Sequence, residues 1–156
     1  MPELPYRRNV GAALFNRAGQ VLIARRADVA TEAWQLPQGG LDEGEEPRAA
    51  VLRELAEEIG TDRAEIIGEV PEWLRYDLPP ELVGKALGGR YRGQMQKWFA
   101  LRFLGRDEDI RLDLDPHPEF DAWRWEALAA LPSLVVPFRR PVYERLVEAF
   151  TEFTRS

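Results

Sequence analysis

The sequence predicts a single layered domain of mixed helix and strand, α/β or α+β in class. Three observations carry this. Strand-length apolar runs recur at 9–16, 20–26 and 94–104. A helix-length segment follows a glycine-punctuated loop at 39–60. The segment 140–153 places apolar residues at 142, 143, 146, 147 and 150, the spacing of an amphipathic helix that packs on a sheet. With 156 residues the chain is long enough for one domain with a core and too short for two comfortable ones.

Along the chain, "NVGAALFN" (9–16) reads as a buried strand. "NRAG" (16–19) is a turn in which Gly19 is free to take positive φ, and "QVLIARR" (20–26) is the partner strand of the hairpin. "AWQLP" (33–37) is a short extended piece stopped by Pro37, and "PQGG" (37–40) leads into a loop. A helix begins near Glu45, Glu46 and Pro47, because acids suit the positive end of the helix dipole and proline is tolerated in the first turn. Gly60 ends it. "AEIIGEV" (64–70) and "EWLRYDL" (72–78) read as strands, "GKALGGRYRG" (84–93) as a basic, glycine-rich loop, and "QMQKWFALRFL" (94–104) as a long strand. "GRDEDIRLDLDPHP" (105–118) is an acidic loop, and "FDAWRWEAL" (120–128) runs from strand towards a short helix.

Composition removes several classes of function. There is no cysteine, so no disulfide framework and no thiolate metal site. His117 is the one histidine, so a metal would be held mainly by oxygen, which suits Mg²⁺, Mn²⁺ or Ca²⁺. The start "MPELPYRRNV" lacks the apolar core of a signal peptide, and no apolar run approaches a membrane span. A cytoplasmic location with no membrane and no obligate protein partner is the expectation. An isoelectric point near 5.0 argues against broad nucleic-acid binding. It leaves room for an anionic substrate, because a bound divalent cation reverses the local sign.

The charge is concentrated. Seven acids and two arginines fall between Asp42 and Glu58, while the whole chain has a net charge of −6. On a helical wheel Leu52, Leu55, Ala56 and Ile59 share a stripe, and Glu54, Glu57 and Glu58 centre opposite it. The three glutamates are therefore expected on a face turned away from the core. At spacings of three and four they repel one another, and Arg53, four before Glu57, compensates in part. Divalent cations would compensate far more strongly.

The segment from Gly39 to Thr61 resembles the Nudix box, G-x5-E-x7-R-E-U-x-E-E-x-G-U with U a bulky aliphatic residue. Gly39, Glu45, Arg53, Glu54, Leu55, Glu57, Glu58 and Gly60 match, and Thr61 departs at a packing position. The resemblance implies one Nudix hydrolase domain over 1–156, an α/β/α sandwich with a mixed central sheet. It implies cleavage of a diphosphate linked to another moiety, with Mg²⁺ or Mn²⁺ and more than one ion. In the family, positions matching Glu54, Glu57 and Glu58 bind metal, with the carbonyl matching Gly39, and the arginine matching Arg53 orients a glutamate. The general base is Glu54, Glu57 or a carboxylate outside the box. Glu119 resembles the remote glutamate that completes the metal site or serves as base.

The flanks "WQLPQGGLDEGE", "WLRYDLP", "GQMQKWFALRF" and "PEFDAWRW" look like the bacterial RNA pyrophosphohydrolase / dinucleoside polyphosphate hydrolase subgroup, from about Tyr6 to Tyr143. The substrate implied is a 5′-triphosphorylated RNA end or diadenosine tetraphosphate. A housecleaning nucleoside triphosphate pyrophosphatase is the alternative enzyme, and a nucleotide-sensing domain the alternative class. The residues expected to bind substrate are Arg7, Arg25, Arg26, Gln38, Tyr76, Gln94, Lys97, Phe138 and Arg139. Neighbours on a strand face opposite ways. One of Arg25 and Arg26 is therefore expected to be solvated, and Lys97 to face away from Gln94 and Gln96. Phe138 either stacks on a base with Tyr76 or plugs the core edge. The five tryptophans, including Trp34, are expected to pack.

Overall fold

The computed structural model describes residues 4–27, 33–113 and 120–154. Its centre is β1 (Tyr6–Phe15), whose run of small and aliphatic residues is buried from Asn9 onward. β1 pairs in parallel with β7 (Gly93–Phe103) from Tyr6↔Gly93 to Phe15↔Arg102. It pairs antiparallel with β2 (Val21–Arg26) across the hairpin and with β4 (Gln38–Gly40). β2 carries β3 (Trp34–Gln35) and β8 (Phe120–Glu126), while β7 carries β5 (Ala64–Glu69) and β6 (Leu74–Asp77). The eight strands form one mixed sheet among the described residues.

Strand alternation builds two cores. Val10, Ala12 and Leu14 pack with Val51, Leu55 and Ile59 of α1 (Pro47–Ile59) on one face. Ala13, Phe15 and Trp98 pack with Val142, Tyr143, Leu146 and Phe150 of α3 (Arg140–Phe150) on the other. The result is an α/β/α sandwich; four of the five α3 residues its sequence spacing predicts are buried, and Val147 is half-buried. A short helix, α2 (Leu131–Leu134), precedes α3.

The ends of α1 follow their sequence signals. Pro47 opens the helix after an extended Glu46. Gly60 closes it at φ 78°, a left-handed conformation that glycine takes without steric penalty, and donates its N–H to Ala56 O at 3.2 Å.

Two expectations need correction. Gln38–Gly40 is a strand against β1, where "PQGG" predicts a loop; glycine carries no strand signal, and tertiary pairing decides. The buried stripe of α1 is Ala50, Val51, Glu54, Leu55, Glu58 and Ile59. Glu54 and Glu58 thus lie on the inward face, Ala56 is exposed and Leu52 half-buried. The helix rests its apolar half on the sheet and its acidic half along β4.

Candidate active site

α1 and β4 bring two carboxylates into a cleft. Glu54 is 8% exposed and Glu58 9%, one helical turn apart. β4 crosses them at van der Waals distance: a Cβ on Gly39 would stand 1.9 Å from Glu54 Oε2, so any larger residue there displaces the Glu54 carboxylate. The Gln38 backbone N–H donates to Glu58 Oε2 at 3.2 Å.

Arg53 ties this acidic segment together. Its Nε donates to Glu45 Oε2 at 2.7 Å and its Nη2 to Glu45 Oε1 at 2.9 Å, a two-pronged pair. Nη2 also donates to the Gly40 carbonyl at 2.9 Å, and Nη1 to Glu54 Oε1 at 3.0 Å and Glu57 Oε1 at 3.2 Å. These bonds, with an N–H from Asp42, hold the Glu45 carboxyl down at about 2. The same contacts, Glu45 foremost, push the Arg53 pKa above its ordinary value. Glu57 is turned towards Arg53 with a half-exposed side chain, while Glu54 and Glu58 face the cleft. Among the described residues no three His, Cys, Asp or Glu side chains form a ready metal cluster.

The polar half of the cleft, about 340 Å³, is lined by Glu54, Glu58, Arg7, Gln38, Gln94 and Arg139, with Arg26 also at its wall. Its floor is a buried amide chain. Asn9 Nδ2 donates to Gln38 Oε1 at 3.1 Å and to Gln94 Oε1 at 2.7 Å. Arg7 Nη1 donates to Gln94 Oε1 at 3.3 Å, and Gln94 Nε2 to the Tyr76 hydroxyl at 2.5 Å. Gln96 Nε2 donates to Gln38 Oε1, and the Trp98 indole N–H to Gln96 Oε1 at 3.2 Å. Asn9 Oδ1 is buried with no partner among the described residues, a penalty of about 1–3 kcal/mol for a neutral acceptor.

An adjoining apolar half, about 450 Å³, is lined by Trp34, Tyr76, Leu78, Val136 and Phe138, and it shares Arg26, Gln35, Leu87 and Arg139 with the polar half. The rings of Tyr76 and Phe138 are 5.5 Å apart, tilted at 43°. Arg139 lies over both, at 5.5 and 5.8 Å, donates to Gln35 Oε1 at 2.9 Å, and leaves its buried Nε without a partner among the described residues.

The structure therefore gathers Arg7, Arg26, Gln38, Tyr76, Gln94, Phe138 and Arg139 with Glu54 and Glu58. It does not gather Arg25 or Lys97. Arg25 pairs with Asp121 at 2.8 Å outside the cleft. Lys97 points to the other face of β7, pairing with Glu69 at 2.9 Å and donating to the carbonyls of Val70 and Pro71. Strand parity explains both. Glu119 and His117 lie outside the described residues. Trp34 packs against the core as expected, and, half-buried, it also lines the cleft, with Arg124 stacked 4.4 Å from its ring centroid. Asn9, Gln35 and Leu87 also reach the cleft unforeseen; Gln35 is a lone polar residue inside an apolar run, whereas Asn9 is only the polar head of one.

Comparison with known proteins agrees with this geometry. The NUDIX domain matches residues 5–146. An RNA pyrophosphohydrolase of Acidiphilium cryptum is 62% identical over 98% of this chain and 94% of its own. One from Gluconacetobacter diazotrophicus is 59% identical over 98% and 96%. Among solved structures, the MutT protein of Methanosarcina mazei superposes with a TM-score of 0.69 at 21% identity, covering 96% of this chain and 98% of its own. An Ap4A hydrolase of C. elegans superposes at 0.66 with 18% identity, covering 94% and 98%. With the box residues in place on α1 and β4 and the domain matched over nearly its whole length, this chain belongs to the NUDIX family.

Proposed function

We propose that the chain hydrolyses 5′-polyphosphate linkages on nucleosides with the help of divalent cations, taking 5′-triphosphorylated RNA, diadenosine tetraphosphate or both. One observation carries the reading: two buried carboxylates at one end of a cleft, an aromatic chamber at the other, and arginines between them. That order matches a metal-bound phosphate chain ending in a nucleoside. Relatives at 62% and 59% identity bear the name RNA pyrophosphohydrolase, which supports the RNA end as substrate.

The residues fit Mg²⁺ or Mn²⁺. The donor set is oxygen, it is nearly dry, and two carboxylates of like charge sit one turn apart, an arrangement that a cation relieves. Glu54, Glu58 and the Gly39 carbonyl would hold it, with Glu57 and Glu119 completing a site for more than one ion. When bound, such an ion supplies Lewis acidity to phosphoryl oxygens and makes water a better nucleophile. The protein's own groups do the rest. Arg53 fixes Glu45, Glu54 and Glu57 in register. Glu54 or Glu57 takes the proton of the attacking water. Arg7, Arg26 and Arg139 contact phosphate, and Tyr76 and Phe138, with Trp34 at the wall, hold the base. From RNA the products are a 5′ monophosphate end and pyrophosphate; from the dinucleotide they are ATP and AMP.

A parallel assay with Mg²⁺ tests this, one tube holding short 5′-triphosphorylated RNA and the other diadenosine tetraphosphate. Faster loss of pyrophosphate from RNA assigns the RNA end as substrate, and faster ATP and AMP formation assigns the dinucleotide. Turnover of neither, with free nucleoside triphosphates cleaved instead, overturns the reading in favour of a nucleotide pyrophosphatase. Glu57→Gln is expected to abolish turnover and leave the melting temperature unchanged, since the side chain is half-exposed and outside the core.

A further inference from the structure

The buried amide chain under the cleft has a direction, and two groups at its ends fix it. An indole N–H and a guanidinium only donate. Trp98 Nε1 donates to Gln96 Oε1, so Gln96 must turn its nitrogen outward, and it meets Gln38 Oε1. Arg7 Nη1 donates to Gln94, so the oxygen of Gln94 is the atom facing it. Asn9 stands between these two oxygens and can satisfy both only with its nitrogen, at 3.1 and 2.7 Å. Each orientation follows from the ends inward, with no free choice of flip.

Two consequences reach the cleft. Gln38 Oε1 already accepts twice within the protein, so its Nε2, which bonds to no described residue, is left to donate from the cleft wall. The Tyr76 oxygen accepts from Gln94 Nε2, so its hydroxyl proton is left to donate as well. Asn9 meanwhile gives both hydrogens to its neighbours and leaves Oδ1 buried and orphaned. An amide placed for stability alone satisfies both ends. This one satisfies only the end that aims Gln38 and Gln94.

We propose that Asn9 is a positioning residue that locks in place the hydrogen-bond polarity dictated by Trp98 and Arg7, clamping Gln38 and Gln94 so that Gln38 and Tyr76 present donors to an acceptor-only, ionised polyphosphate chain. The inference rests on the polyphosphate hydrolase reading above. It assigns Asn9 to ground-state binding of phosphoryl oxygens, away from the chemical step.

The test is a double-mutant cycle with Asn9→Leu, which keeps the number of side-chain heavy atoms but has no donors, and Tyr76→Phe. Asn9→Leu is expected to raise KM for diadenosine tetraphosphate or triphosphorylated RNA about tenfold while kcat changes less than about threefold. On the Tyr76→Phe background the same change is expected to raise KM by only about threefold, because the Gln94 route is already lost and the Gln38 route remains. A fall in kcat at unchanged KM, or additive effects, is what a merely structural residue gives and overturns the proposal. If the wild type turns over neither substrate, the hydrolase reading fails by itself. Calorimetry with inorganic tripolyphosphate then decides: binding about tenfold weaker in Asn9→Leu upholds the polarity role, and equal binding overturns it. Should Asn9→Leu not fold, neutron diffraction from the deuterated wild type reads the amides directly. Deuterium on the cleft-facing atom of Gln38 upholds the proposal, and an oxygen there overturns it.

Discussion

Arg53 shows how much one side chain can organise. It contacts Glu45, Glu54, Glu57 and the Gly40 carbonyl from a single planar fork. A lysine has one ammonium and cannot span them. Arg53→Lys is expected to lower kcat about 10²-fold, the cost of ångström-scale misplacement, with the fold retained by circular dichroism. The Glu45 carboxyl gives a second handle. Its folded pKa is lowered from 4.5 to about 2, chiefly by the bond from Arg53, so its contribution to stability is full above pH 4.5 and is lost as pH falls towards 2. The urea midpoint of wild type should exceed that of Glu45→Gln above pH 4.5, and the gap should close near pH 2. At this scale the sequence was most legible where charge is expensive. Glutamates crowded at turn spacing demand compensation, and Glu54 and Glu58 do line the cleft. Strand alternation already set Lys97 apart from Gln94 and Gln96 and turned one of Arg25 and Arg26 away; that Arg25 is the one, and that Asp121 and Glu69 hold the two charges outside the cleft, needs the fold. Asn9 was missed because a polar residue at the head of "NVGAALF", just after two arginines, reads as an ordinary strand start.

At the scale of elements, the site is a helix laid against a strand that has no side chain to keep it away. Gly39 permits the contact with Glu54, and β4 is held in place by pairing with Val10 and its neighbours on β1. Gly39→Ala should therefore push Glu54 aside. Turnover is expected to fall about 10²-fold, while the thermal melt shifts little because the α1 core residues Val51, Leu55 and Ile59 are untouched. The helix ends were legible in Pro47 and Gly60. The helix face was not. The wheel set all three glutamates opposite the core, which assumes that only apolar surface is buried. Here Glu54 and Glu58 share the inward stripe with Val51 and Leu55, because what they face is a polar cleft. The strand nature of "PQGG" was hidden for another reason: glycine carries no strand signal, and the pairing with β1 that makes it a strand is distant in sequence.

For the whole molecule, the parallel pairing of β1 with β7 places the fully buried Trp98 below the site and sets Asn9, Gln94 and Gln96 side by side. The layered class was legible from the period of the apolar runs, and the mixed sheet from the resemblance. The junction of a polar and an apolar chamber was not, since it needs Arg26 from β2, Tyr76 from β6 and Arg139 before α3 to meet. No helix among the described residues is long and apolar enough to cross a membrane. The central claim is that this assembly keeps Glu54 and Glu58 buried together to hold divalent cations. A Mn²⁺ titration followed by electron paramagnetic resonance, comparing wild type with the Glu54→Gln, Glu58→Gln double variant, tests it directly. The account predicts that wild type takes up Mn²⁺ and that the variant, folded and monodisperse, loses that uptake; equal uptake by both would contradict it.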